Sequence, residues 1–262
     1  MSHGCRGCAQ NQLSARQSGN SHGCELGHRR RHQCSVCQAG RPTGAERARL
    51  GQPHQHSTAV RRVRRRGGDL TDEEMVKMLV EQTISRYGRL DVLVNSAGIL
   101  TMGSIETTDL AQYDKVMNIN VRSVYHLTQL CVPHLIQTKG SIVNVSSVNG
   151  QRSFPGVLAY CMSKSAIDQF TRCTALELAS KQVRVNSVCP GVIITEVHRR
   201  AGLDEEQYAK FLERCKETHA LGRPGKVEEV ASAIAFLASD AASFITGINM
   251  PIDGGRHAMC PR

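Results

Sequence analysis

Short apolar segments alternate with longer helical patterns through residues 69–255, and this alternation restricts the fold more than any other feature. Continuous apolar runs bounded by turns are typical of strands buried on both faces of a parallel sheet. The runs are RLDVLVNSAG (89–98), GSIVNVSS (140–147), VRVNSVCPG (183–191) and GINMPIDGG (247–255). Because helical patterns separate them, we predict parallel pairing in a doubly wound α/β sheet.

Four longer segments predict the helices of this sheet. They cover residues 69–88, 109–137, 156–179 and 227–239. The first segment opens with a capping signal, Thr71 or Asp72, and Met75, Leu79 and Ile84 fall near one face. The segment 109–137 has the pattern of one long helix. At 262 residues the chain can bury one sizeable core.

Residues 1–68 differ from the rest in composition. They contain no Phe, Tyr, Trp, Ile, Lys or Asp, and thirteen arginines against two glutamates leave a charge of +11. The remaining twenty basic and twenty-one acidic residues leave −1. Without regularly spaced large apolar residues, residues 1–68 are predicted to be a basic, disordered, non-native segment. Residues 69–262 are predicted to form a partial globular domain.

Three polar residues lie close together in the predicted topology. Ser147 stands at the end of a predicted strand, thirteen residues before Tyr160. Tyr160 and Lys164 are four residues apart on a predicted helix, so they share one face. Taken alone, this spacing also fits a solvated helix face.

Several motifs in the same order resemble the short-chain dehydrogenase/reductase family, in particular its 3-oxoacyl-carrier-protein-reductase-like branch. The resemblance spans residues 69–255. One departure is Ser96, which replaces the second asparagine of the family's Asn-Asn-Ala-Gly turn. The matching motifs are NSAG (95–98), Asn120 in MNINV, Ser147, the Tyr160–Lys164 pair, PGVIIT (190–195), GRPG (222–225) and ITGINMPIDGG (245–255).

The resemblance implies a Rossmann-like fold and hydride transfer between NADP(H) or NAD(H) and a small carbonyl or secondary alcohol. It implies Tyr160 as general acid and base, with Ser147 holding the substrate oxygen and Asn120 holding a water. Lys164 would bind the nicotinamide ribose and favour the tyrosine phenolate. The implied cofactor-binding residues are Asp69, Leu70, Asn95, Ala97, Gly98, Tyr160, Lys164, Pro190, Gly191, Ile193 and Thr195. We expect no metal in this site.

The N-terminal segment has a second interpretation, as an out-of-frame translation. Residues 16–32, back-translated and read one nucleotide later, permit GKVAIVT followed by GASSGIGAGT, a strand and the family's phosphate-binding glycine loop. We therefore interpret residues from about 13 to about 67 as frame-shifted. In this chain the first strands and glycine loop would be missing or disordered. The shifted reading also places an arginine near the adenosine 2′-phosphate, which favours NADP(H) over NAD(H).

Two alternative functions remain open at the sequence level. The chain could be a non-catalytic, truncated family member that lacks the cofactor loop. Alternatively, the pairs CRGC (5–8) and CSVC (34–37) could make a zinc- or nucleic-acid-binding arm fused to a reductase. Their 25-residue separation and the lack of aromatic residues speak against that arm, and we expect no nucleic-acid partner. Cys161, Cys173 and Cys189 are expected to be small buried residues.

Assembly and location are also expectations. Family members are usually homotetramers. The Tyr160 helix has apolar residues on more than one face, which favours an isologous interface there: Val157, Leu158, Ile167, Phe170 and Leu176. No apolar run is long enough for a membrane span, so we expect no membrane partner and a cytoplasmic protein. An arginine-rich, acid-poor start also fits a mitochondrial transit peptide. Substrate identity should depend on the lid expected at residues 195–220.

Overall fold

The computed structural model describes residues 68–260. Four parallel strands form one sheet in the spatial order β1-β2-β3-β4. The predicted parallel α/β sheet is therefore confirmed. Because the strands run the same way, the segments that follow them meet along one edge of the sheet. The strands are β1 (Val92–Asn95), β2 (Ser141–Val145), β3 (Arg184–Pro190) and β4 (Asn249–Ile252).

Helices cover both faces of the sheet. On one face, α1, α3 and α5 pack around Ile142 and Val185; on the other, α9 packs against Val143 and Val188. Neighbouring residues of a strand point to opposite faces, which accounts for the two core clusters. The α-helices are α1 (Glu73–Tyr87), α2 (Leu110–Met117), α3 (Ser123–Thr138), α4 (Val148–Gln151), α5 (Leu158–Ala179), α6 (Val197–Arg200), α7 (Glu205–Glu213), α8 (Cys215–Thr218) and α9 (Val227–Ala238).

The start of α1 settles which of the two expected residues is its cap. The Asp72 side chain accepts a hydrogen bond from the backbone N–H of Met75 at 3.1 Å, whereas the Thr71 hydroxyl donates to Asp69. The fully buried positions of this helix are Val76 and Val80. The buried face of α1 therefore differs from the predicted face, because Met75 is only half-buried.

The long helix expected over 109–137 contains a break. A π-helical turn, Asn118–Arg122, separates α2 from α3 and carries Asn120 into the interior. Such turns recur at functional sites because one extra residue re-aims the side chains. The apolar pattern continues through the turn, so the sequence showed no sign of it.

The cysteines follow the expectation only in part. All six cysteines within residues 68–260 are free thiols, and Cys189 is buried, but Cys173 is exposed, so the prediction was wrong there. Within this range no cluster of His, Cys, Asp or Glu could hold a metal ion, and no helix is long and apolar enough to cross a membrane. The basic segment, its cysteine pairs and the frame-shift interpretation lie outside the described residues.

Candidate active site

Helix α5 places Tyr160 and Lys164 side by side near its N-terminus. The Lys164 Nζ lies 5.6 Å from the centre of the Tyr160 ring. This ammonium is buried and donates a hydrogen bond to the carbonyl oxygen of Val145 at 2.8 Å. Val145 ends β2, so the edge of the sheet orients the lysine. An ammonium carries three N–H donors, so two of them are available to a ligand.

Burial shifts the proton affinities of both groups. It lowers the pKa of Lys164 to about 8, while the negative potentials of Asp168 and Cys189 act in the opposite sense. It raises the pKa of Tyr160 to about 12, although a hydrogen bond with Ser147 counteracts this rise. At neutral pH the tyrosine therefore holds its proton beside a cation, and that cation would stabilise a phenolate.

Ser147 is positioned by the turn that follows β2. Its hydroxyl caps α4 by accepting a hydrogen bond from the backbone N–H of Asn149 at 3.1 Å. The same side chain lowers the pKa of Tyr160, so the two hydroxyl groups lie near one another. Two hydroxyl groups thus converge where a substrate oxygen would have to sit in order to exchange a proton with Tyr160.

Asn120 ties the segment after β1 to helix α5. Its Oδ1 accepts from the N–H of Ile99 at 2.8 Å, and its Nδ2 donates to the Ile99 carbonyl and to Ser163 Oγ. A Cβ at Gly98 would lie 3.3 Å from Asn120 Oδ1 and 3.6 Å from Lys164 Nζ. The missing side chain at Gly98 therefore keeps the approach to the lysine open. That Asn120 also holds a water stays a prediction.

The segment after β3, predicted to contact the nicotinamide, is fixed by a residue that the sequence analysis missed. The Val192 N–H donates to Nε2 of the buried His219 at 3.2 Å. A Cβ at Gly191 would come within 2.9 Å of the Asp253 backbone and 3.1 Å of His219 Nε2. The Thr195 carbonyl accepts from the Tyr208 hydroxyl at 3.1 Å. His219 lies at the end of the region expected to be a lid, where no pattern marked it.

The residues expected at the adenosine side lie at the carboxyl end of β1. The Asn95 Nδ2 donates to Thr128 Oγ1 at 3.0 Å and to Asn144 Oδ1 at 2.8 Å, so this side chain links the sheet to α3. Leu70 is part of the apolar core. Asp69 accepts from the N–H and the hydroxyl of Thr71. The structure brings these residues close to Ala97, and their cofactor contacts stay predictions.

The donor set fits the nicotinamide and ribose half of a dinucleotide. Lys164 retains N–H donors that suit ribose hydroxyls, Gly98 leaves space beside it, and the backbone from Pro190 to Thr195 is held firmly by neighbouring elements. Amides exposed by a glycine loop usually hold the pyrophosphate. Within residues 68–260 no such loop joins a strand to a helix at this edge of the sheet.

A family model described as "Enoyl-(Acyl carrier protein) reductase" matches residues 37–257. The chain belongs to the short-chain dehydrogenase/reductase family. It is 43% identical over 188 residues to a 3-oxoacyl-[acyl-carrier-protein] reductase of Thermotoga maritima, covering 71% of this chain and 74% of that protein. It is 40% identical over 190 residues to the meso-2,3-butanediol dehydrogenase of Serratia marcescens, covering 72% and 73%.

Solved structures of short-chain dehydrogenases/reductases share the fold. The ligand-free aldohexose dehydrogenase of Thermoplasma acidophilum superposes with a TM-score of 0.73 at 34% identity, covering 79% of this chain and 83% of its own. A gluconate 5-dehydrogenase of Burkholderia cenocepacia in complex with NADP and tartrate gives 0.68 at 27% identity, covering 74% of each chain. By family, therefore, the chain is an oxidoreductase of the kind that uses nicotinamide cofactors.

Proposed function

We propose that this site transfers hydride between NADP(H) or NAD(H) and a carbonyl or secondary alcohol, with Tyr160 as general acid and base. The observation that supports this most directly is the half-buried Tyr160 ring, which lies 5.6 Å from the Lys164 ammonium and near Ser147. When bound, the nicotinamide supplies or accepts the hydride. The proton must come from the protein.

Tyr160 delivers that proton to the substrate oxygen during reduction and removes it during oxidation. Ser147 donates a hydrogen bond to the same oxygen and holds it at the tyrosine. Lys164 stabilises the phenolate that remains after the proton leaves, since a positive charge beside an acid lowers its pKa. Its remaining N–H donors bind the ribose hydroxyls, and Asn120 keeps the backbone around Gly98 and Ile99 in place.

The preference for NADP(H) over NAD(H) is part of the proposal. It rests on the arginine in the shifted reading, since an arginine beside the ribose accommodates a 2′-phosphate. The alternative, a non-catalytic family member, is favoured by one observation. The pattern of strand, glycine loop and helix is missing from residues 1–68 as written.

We also propose that assembly uses α3 and α5. Leu176 on α5 is 80% exposed and Tyr125 on α3 is 55% exposed. The Tyr125 ring lies 6.1 Å from that of Phe170 on the neighbouring helix. Val157 and Ile167 were expected to contribute to an interface, but they are buried within the chain and support the core instead. A homotetramer in light scattering would agree with this surface, and a stable monomer would contradict it.

Steady-state assays test the proposed activity. The purified chain is mixed with NADPH or NADH and a panel of small ketones, and oxidation of the cofactor is followed by its absorbance. In a protein whose residues 13–67 are replaced by the shifted translation, we expect reduction that requires both ketone and cofactor and is faster with NADPH. In the chain as given we expect much slower reduction, because its cofactor affinity should be weak. If neither cofactor is consumed while the protein is folded, the non-catalytic alternative is correct for this chain.

A further inference from the structure

Arg256 lies beside the segment that connects Ser147 to Tyr160. It belongs to a short 3₁₀ turn after β4, and its guanidinium carbon lies 4.6 Å from the centre of the Phe154 ring. The Phe154 carbonyl oxygen is 4.0 Å from the sulfur of Cys161, the residue after Tyr160. Arg256 therefore contacts a residue only six positions before Tyr160, although Arg256 itself is far from Tyr160 in the sequence.

A second arginine fixes this arrangement. Arg152 Nη1 donates to the carbonyl oxygens of Met259, at 2.9 Å, and of His257. These bonds hold the segment after β4 against the segment after α4. Arg256 and Arg152 therefore lie together beside the segment that joins Ser147 to Tyr160.

Arg256 has no carboxylate partner among residues 68–260. Elsewhere in this range arginines pair with glutamates, as Arg223 does with Glu229 at 2.6 Å. The nearby Asp253 is already engaged, because its oxygens accept from the N–H groups of Gly255 and His257 at 3.1 and 2.6 Å. A half-buried guanidinium without an anion retains several N–H donors for a ligand.

The potential of this arginine extends over the expected substrate region. Burial lowers the pKa of Arg256 itself; Cys215 and Asp253 oppose this shift, and the positive charges of Arg214 and Arg152 add to it. Burial likewise lowers the pKa of His198 in α6 and of His219, and Arg256 adds to both shifts. Arg256 thus lies near two other arginines and the two histidines of the expected lid, and an anion would be attracted to this group of positive charges.

We infer that Arg256 binds a carboxylate or phosphate group on the substrate, away from the reacting carbonyl. Arg152 holds the backbone of the turn that carries Arg256. The inference rests on the proposed function and narrows its substrate class to anionic carbonyl compounds and the matching hydroxy compounds. A guanidinium is suited to this task because its planar donors match carboxylate and phosphate oxygens.

Matched probes test the inference by turnover. Acetoacetate is compared with neutral ethyl acetoacetate, and dihydroxyacetone phosphate with dihydroxyacetone, so that the two pairs distinguish a carboxylate from a phosphate. In Arg256→Met we expect KM for the preferred anion to rise about 30-fold, since a charge-assisted hydrogen bond is lost. The kcat and the values for the neutral probes should change less than about threefold.

Two further variants keep the result interpretable. Arg256→Lys retains a charge and should recover part of the preference. Arg172→Met removes an exposed arginine that bonds Gln169 on α5, and it should behave as wild type. The preference for the anion is a ratio within each variant, so partial loss of folded protein cancels. Equal changes for anionic and neutral probes in Arg256→Met would overturn the inference.

A readout without turnover separates this inference from the proposed function. Acetoacetate or inorganic phosphate should raise the thermal midpoint of the full chain, and Arg256→Met should abolish the increase while Arg172→Met retains it. Protection that depends on Arg256 without any ketone reduction would support the anion site and refute the proposed activity. Ketone reduction without a preference for anionic probes would support the proposed activity and refute the anion site. If neither ketone reduction nor protection by anions is seen, the proposed activity and the anion site are both refuted.

Discussion

The two ends of the cofactor site are held in different ways. At the nicotinamide end Ser147, Lys164 and Asn120 are all buried, and Lys164 and Asn120 are each bonded to an element other than their own. At the adenosine end the Asn95 side chain bonds into the sheet, and the exposed Asp69 accepts from Thr71, two residues away. In the proposed mechanism residues 68–260 supply the catalytic groups, and we expect the affinity for a dinucleotide to depend on further groups.

The largest effect is expected at the nicotinamide end. Tyr160→Phe removes the hydroxyl that exchanges the proton and leaves the ring in its packing. General acid–base catalysis contributes on the order of 10²–10⁴ in rate, so we expect kcat to fall about a thousandfold. Cofactor affinity should stay within threefold. Tyr87→Phe, at the end of α1, serves as the control.

Steady-state kinetics on the form that reduces ketones would measure this loss. If Tyr160→Phe keeps more than a tenth of the wild-type kcat, Tyr160 does not transfer the proton. The nicotinamide end would then lack the catalytic role proposed for it.

The second-largest effect concerns NADPH affinity, which should depend on the pyrophosphate and adenosine end of the site. The pyrophosphate must leave water, and glycine-loop amides with a helix N-terminus usually compensate its charge. If the arginines of residues 1–68 had to be ordered around the pyrophosphate, this would cost about 1–2 kcal/mol of conformational entropy per residue fixed, against about 0.2–1 kcal/mol gained per exposed ion pair. We therefore expect the chain as given to bind NADPH with a Kd weaker than about 10 μM.

A matched protein sharpens this test. Replacing residues 13–67 with the shifted translation restores the glycine loop, and we expect it to strengthen NADPH binding at least a hundredfold by calorimetry. A 1:1 site below about 10 μM in the chain as given would show that residues 1–68 contribute a cofactor site and that the frame-shift interpretation is functionally wrong.

The sequence predicted the architecture better than the environment of the site. A strand buried on both faces of a parallel sheet needs a continuous apolar run. All four described strands therefore lie within the runs that predicted them. The π-helical turn around Asn120 was missed because one extra residue leaves no trace in an apolar pattern. His219 and Arg256 were missed because their roles arise from long-range contacts. Asn95 was assigned to the cofactor, and its contacts within the sheet could not be read from a motif.

A smaller effect links the buried lysine to stability. The pKa of Lys164 is lowered by burial from 10.5 to about 8, so between these values the unfolded chain binds a proton that the folded chain does not. The free energy of unfolding should therefore increase with pH across this window, by about 3 kcal/mol. Below pH 8 both states are protonated and the full penalty of burying the charge remains.

Lys164→Met isolates this dependence. The free energy of unfolding of wild type and variant is measured with denaturant from pH 7 to 9.5. As pH rises, the value for wild type should increase relative to the value for Lys164→Met. Lys181→Met removes an exposed lysine and should leave the pH dependence of wild type intact. If the Lys164→Met difference were constant with pH, the lysine would not be protonated in a buried site, and the electrostatic account of the nicotinamide end would be wrong.

The smallest effect distinguishes support from binding at the adenosine end. Asn95→Ala removes the donor shared by Thr128 and Asn144, and leaving buried acceptors unpaired should lower the free energy of unfolding by about 1 kcal/mol. Asn144→Ala breaks the same contact from β2 and serves as the matched control, because no cofactor contact is expected there. If Asn95 acts only through the sheet, both variants should lose similar stability in urea, and NADPH affinity in the loop-restored protein should change less than threefold. A tenfold loss of affinity confined to Asn95→Ala would instead make this side chain a direct cofactor ligand, and the two ends of the site would then be held in the same way.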